Sequence, residues 1–222
     1  MDMAAHHQRL ERDPWFASLE APLRARILAR VRLRSFAQDG RIYRIGDPPD
    51  GLHAVVEGDV RLVAYPAPGR QILNMILRPG NWFGEVSVLD GGPRPHDAIA
   101  IRPTLVASLS PPDIDALAAE APGFYRHVGT LSCRHQRASL RFIGALLTAS
   151  PEDRILALAR TAASPGDDGV ATLRMTQEDM AGLVGLSRQH LNTLLGQMER
   201  GGRITRGYGV IRVLDRGAAD SD

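Results

Sequence analysis

A single cysteine, Cys133, in 222 residues leaves no partner for a disulfide within the chain and no set of four thiolates for an iron–sulfur cluster. That usage fits a reducing cytoplasm, with Cys133 packed in a helix. No apolar run approaches the roughly 20 residues of a membrane span, and residues 1–11 lack a signal-peptide core. The expectation is a cytoplasmic protein with no membrane partner. Also missing are G-x-S-x-G, Walker-loop and H-E-x-x-H motifs and any cluster with metal-ligand spacing, so the chain reads neither as an enzyme nor as a metal protein. Strong charge is lacking too: the formal net charge is only +2 against a pI of about 9.1, so a nucleic-acid footprint has to be local. What the chain does have is 44% hydrophobic residues, ample for one large or two modest domains.

Residues 1–13 are polar, carry His6 and His7, and read as a mobile start. Short helices follow around 14–16 and 22–31, with Ile27, Leu28 and Val31 on one face. From 33 to 109 the pattern changes to short apolar runs at 42–43, 52–56, 60–65, 72–77, 98–101 and 105–109, separated by Gly and Pro, which predicts an antiparallel barrel or jelly roll. Within it, Gly84, Glu85 and Val86 precede Arg94 closely enough to supply backbone N–H groups, a carboxylate and a cation. By chemistry alone that segment reads better as a structural turn, since Gly-Glu and Pro-Arg are common in loops.

A short helix is expected over 113–119 and a long one from Pro122 to about Leu147. Val128, Leu131, His135, Ala138, Phe142 and Ala145 make an apolar stripe along it, too long for one small barrel to cover, which predicts a second copy as its partner. Residues 148–151 break the helix and Ile155 starts another. Residues 164–169 read as a surface loop, and 170–175 as a strand.

Over 176–202, Thr176 and Asp179 form a capping-box-like start, Gly185 stops the first helix and Ser187 caps a second. Leu191, Leu194, Leu195 and Met198 give that helix one buried stripe. Gln189 and Thr193 then lie opposite, flanked by Asn192 and His190, with Arg188 at the N-terminal edge. Two helices on a tight turn, the second presenting an acid-free polar face, suit a DNA major groove. The hairpin expected over 203–213 makes Arg203 and Arg206 available to phosphates as a wing, and residues 214–222 read as a frayed tail.

In this order, Ile45-Gly46-Asp47, residues 55–61, 79–85 and Gly92-Pro93-Arg94, a long helix and the 176–202 unit resemble the Crp/Fnr family of bacterial transcription regulators. The resemblance implies an α+β chain: an effector-sensing β-roll with flanking helices (1–121), a dimerisation helix (122–147) and a winged helix-turn-helix (148–222). It further implies double-stranded DNA with a near-palindromic operator, a second copy and RNA polymerase as partners. Thr176, Arg188, Gln189, His190, Asn192, Thr193, Arg203 and Arg206 would face DNA. The effector set would be Gly84, Glu85 on a ribose hydroxyl, Val86, Arg94 on a cyclic phosphate, and Ser139 on the base. Pro95, where the family commonly has Ser or Thr, offers no donor, and Asp97 adds negative charge, so cyclic nucleotide binding is expected to be poor. Haem is not expected either, because the spacing of His53, His96, His127 and His135 singles out no site. The competing readings are a cyclic-nucleotide-sensing module that acts on a protein partner and a haem-based gas sensor on the same fold.

Overall fold

The computed structural model describes residues 3–67, 70–162, 164–165, 170–207 and 209–214, without the side chains of 3–4, 66–67, 70–74, 142, 145–146, 160–162, 164–165 and 171. Residues 215–222 of the expected tail, loop residues 166–169 and Tyr208 of the expected wing lie outside the described residues. Two compact units, 1–138 and 139–222, divide the chain. The division therefore falls within the long helix rather than at 121 or 148.

The first unit opens with α1 (Met3–Leu10), α2 (Pro14–Ala17) and α3 (Ala21–Arg30). Residues 1–13 were expected to be mobile; instead α1 buries Leu10 in the core, and Arg9 and His6 reach Glu57. One apolar anchor and a counter-charge outweigh an otherwise polar sequence. Asp13 caps α2 by accepting from the Trp15 N–H at 2.7 Å, and the Trp15 indole donates to the His127 carbonyl at 2.7 Å. Phe16 stacks on Trp82 with ring centroids 4.9 Å apart.

Two four-stranded antiparallel sheets follow. One has the order β1 (Arg32–Phe36), β8 (Thr104–Leu109), β3 (Leu52–Glu57), β6 (Trp82–Phe83). The other has the order β2 (Arg41–Tyr43), β7 (Asp97–Ala100), β4 (Val60–Ala67), β5 (Arg70–Leu77). Strand β3 explains the layering by its period of two. Leu52, Ala54 and Val56 face the helices with Trp15, Trp82 and Leu117, whereas Val55 faces the other sheet with Phe83, Val106 and Leu62. β1, β6 and the short helix α4 (Glu85–Asp90) were not expected from the sequence. β6 has two residues and α4 six, too short for either period to register.

After α5 (Pro111–Glu120) comes α6 (Phe124–Thr148). Here the expected dimer stripe needs correction: Val128 and Leu131 are 0% and 1% exposed and pack with Phe124 in the core of their own unit, so they are not open to a partner. His135 is tied to Glu85 within the same unit, and Ala138 is half-buried. The side chains of Phe142 and Ala145 lie outside the described residues. Among the described residues, the large apolar side chains exposed on α6 are Tyr125, Leu140, Ile143 and Leu147, with Cys133 also exposed rather than packed.

The second unit holds α7 (Pro151–Ala162), β9 (Ser164–Pro165), β10 (Ala171–Arg174), α8 (Gln177–Val184), α9 (Arg188–Arg200), β11 (Ile204–Gly207) and β12 (Val210–Val213). Its sheet runs β11-β12-β10-β9, all antiparallel. Ile155, Leu173, Val184, Leu191, Leu195 and Ile204 form the buried side of these elements.

Candidate functional site

In the second unit, sequence chemistry sets the α8–α9 turn directly. Thr176 Oγ1 accepts from the Asp179 N–H at 3.0 Å, Gly185 ends α8 in the left-handed region at φ 69°, and Ser187 Oγ accepts from the His190 N–H at 3.2 Å. Leu191, Leu194, Leu195 and Met198 bury one side of α9. Opposite them Arg188, Gln189, His190 and Thr193 are exposed and Asn192 is half-buried, while the Thr193 hydroxyl donates to the Gln189 carbonyl at 3.1 Å. The first turn of α9 contains no acid, so its unpaired N–H groups and Arg188 present a positive end.

Beside it, β11 and β12 pair from Ile204↔Val213 to Gly207↔Val210. Two arginines expected to be available to phosphates are engaged instead. Arg206 forks onto Glu199 through Nε and Nη2, each 2.7 Å from Oε2, and its backbone N–H donates to Oε1 at 3.0 Å. These Arg206 bonds hold the Glu199 carboxyl below its ordinary range. Arg203 Nη1 lies 3.5 Å from Glu152 Oε2.

In the first unit, Gly84 caps α4 at φ 91°, where a Cβ would lie 2.8 Å from Arg94 Nη1, so the tight approach of Arg94 requires glycine. Arg94 is 1% exposed. Its Nη1 donates to the Gly84 carbonyl at 2.8 Å and its Nη2 to the Gly51 carbonyl at 2.6 Å; Nη2 also bonds the Asp50 carboxylate. The guanidinium lies 4.3 Å from the centroid of the Tyr43 ring. The cation expected at Arg94 is therefore buried and already neutralised.

Glu85, 5% exposed, is likewise engaged, its Oε1 2.9 Å from His135 Nδ1. Burial, the largest single effect, would raise its pKa, but the bond and charge of His135, its own backbone N–H and the charge of His96 together outweigh it, and the carboxyl titrates below its usual range. Val86 is exposed, and Ser139 is exposed in the second unit. Asp97 accepts from the Ile45 N–H at 2.7 Å and the Tyr65 hydroxyl at 3.0 Å and pairs with Arg41 at 3.4 Å, so its charge is compensated rather than turned on an anion.

Sequence reasoning missed Asp50 and the role of His53. His53 is fully buried; its Nδ1 lies 3.0 Å from Ser108 Oγ and its Nε2 3.1 Å from Asp50 Oδ1. Burial pushes its pKa below the ordinary value; Nε2 lies 3.1 Å from both Asp50 Oδ1, to which it can donate, and Arg94 Nη2, from which it can only accept, so the tautomer selects between these two contacts. With both ring nitrogens engaged, His53 has none left for an iron. At Asp50, burial is outweighed by the bonds and charges of His53 and Arg94, which hold the carboxyl well below the usual range. The available signal was a lone histidine on the inner face of an apolar strand, three residues after an acid.

A β-roll linked by a long helix to a winged helix-turn-helix defines a transcription regulator with a sensory domain. The sequence matches the family model "Cyclic nucleotide-binding domain" over residues 33–121 and "Crp-like helix-turn-helix domain" over 143–218. Among curated proteins, it is 26% identical over 194 residues to a CRP-like cAMP-activated global transcriptional regulator of Mycobacterium tuberculosis, covering 85% of this chain and 87% of the relative. A solved CRP/FNR-family regulator from Thermus thermophilus matches at 27% identity and a TM-score of 0.67 over 83% of this chain and 94% of the other. The c-di-GMP-responsive regulator CLP of Xanthomonas campestris shares the fold, with a TM-score of 0.72 at 20% identity, over 87% and 99% of the two chains. The chain belongs to the Crp/Fnr family of transcription regulators.

Proposed function

We propose that the protein is a homodimeric, sequence-specific DNA-binding regulator whose roll answers to a ligand other than cyclic AMP, or to none. The observation that carries this reading is the exposed, acid-free first turn of α9, held by the Ser187 cap and a fully apolar underside. Arg188, Gln189 and Asn192 on one helix face match the donors and acceptors of major-groove base edges. The homodimer is supported by Leu140, Ile143 and Leu147, three exposed apolar residues at helical spacing on α6. On DNA, the partner implied by the family resemblance is RNA polymerase.

The Mycobacterium tuberculosis relative is cAMP-activated by name. In this chain, Glu85 and Arg94 are both held by internal partners, which disfavours the same ligand. Selection from a random duplex pool tests the function. Enrichment of a near-palindrome with half-sites about one helical turn apart is expected. A pool that stays random, with and without candidate effectors, would instead favour a sensor acting on a protein partner.

A further inference from the structure

We propose that Asp50 is a built-in anion that occupies the oxyanion position of the roll and so closes it to phosphate esters. This deepens the effector part of the reading above and does not depend on DNA binding. Three groups from separate segments converge on the Asp50 carboxylate: Arg94 Nη2, His53 Nε2 at 3.1 Å, and the Arg34 guanidinium of β1, with Nη1 at 3.7 Å from Oδ2. Two guanidinium groups around one carboxylate, with the His53 ring nitrogen 3.1 Å from both Asp50 and Arg94 Nη2, make an arrangement that recognises an oxyanion. Its occupant here is a side chain of the same protein.

Burial gives the reason. The Arg94 side chain is 0% exposed, and a guanidinium taken out of water has to be neutralised. Its other acceptors, the Gly51 and Gly84 carbonyls, carry no net charge, which leaves Asp50 as the carboxylate that bonds it among the described residues. Asp50 is itself 37% exposed in its side chain, so it is the member of the pair that solvent and solutes reach. A phosphate has to displace a carboxylate tethered three residues before His53, at an effective concentration of about millimolar or higher. Ligands present at micromolar levels lose that competition. Asp50, rather than the lack of donors at Pro95 alone, then sets the ligand class of the roll.

Calorimetry with cyclic AMP as the probe tests this on the full chain. Wild type is expected to bind at about millimolar or weaker. Asp50→Asn, which keeps the shape and removes the charge, is expected to bind about 10- to 100-fold more tightly, the fold-change of one charge-assisted hydrogen bond. Asp50→Asn combined with Arg94→Gln should lose that gain. A folded Asp50→Asn with unchanged affinity, or a gain that survives in the double variant, would overturn the proposal while leaving weak wild-type binding intact. Low-micromolar wild-type binding would overturn both this and the effector reading. Should Asp50→Asn not fold in chloride, recovery of its thermal transition in inorganic phosphate supports the proposal, and failure in both buffers refutes it.

Discussion

Gly51 turns into β3 at φ 123°, and a Cβ there would sit 2.0 Å from the Leu109 carbonyl oxygen, a backbone atom that cannot step aside. At Gly84 the nearest atom, 2.8 Å away, is the end of the Arg94 side chain. Gly84→Ala should therefore cost about 1–3 kcal/mol of stability, and Gly51→Ala clearly more, in chemical denaturation. Equal costs would mean that backbone conformation alone matters. His53, Asp50 and Glu85 make stability acid-sensitive. All three have folded pKa values below their unfolded ones, so in acid the unfolded chain binds more protons and gains on the folded one. The stability linked to His53 is full above about pH 6.5 and is lost below it; that of the two carboxylates is full above about pH 4.3 and is lost as pH falls further. Denaturant midpoints that stay flat from pH 7 to 5 would contradict this account of His53. The chemistry of Glu85 and Arg94 was legible in the sequence as a carboxylate and a cation. Their occupants were not, because Asp50 lies 44 positions from Arg94 and His135 lies 50 from Glu85, and only the folded first unit brings these loop and helix residues together.

Helix caps and stripes carry the argument at the scale of elements. Thr176→Ala and Ser187→Ala each remove a side-chain acceptor at a helix start and should cost about 1 kcal/mol. Ser187→Ala should weaken duplex binding as well, since α9 carries the groove-facing residues; unaltered affinity would detach that helix from DNA. These caps were readable because each is local, a hydroxyl three residues from the amide it accepts from. The α6 face was not readable, because one helix carries two apolar sets. Phe124, Val128 and Leu131 face their own core, and Leu140, Ile143 and Leu147 face outward. Hydrophobicity alone cannot say which set is already covered. Leu131→Glu should unfold the first unit, at several kcal/mol, by burying an unpaired charge. Ile143→Glu with Leu147→Glu should leave the fold intact and yield monomers in sedimentation. A dimer that survives the double change would move the interface elsewhere.

For the molecule as a whole, a net charge of +2 makes the local distribution decisive. Arg203 and Arg206 are paired with Glu152 and Glu199, so under the proposed reading their phosphate contacts compete with ion pairs already formed. Arg203→Ala should weaken all duplexes alike and reduce the salt slope by about 1. The order of elements was legible because short apolar runs broken by Gly and Pro mark the strands, whereas a 3.6-residue period marks α6 and α9. The most direct test of the central claim repeats the duplex selection with Gln189→Ala beside wild type. A dimer reading DNA through α9 predicts an unchanged palindromic frame in which base preference relaxes at one pair of symmetry-related positions. Identical preferences in both proteins, or a relaxed position without a symmetric mate, would contradict it.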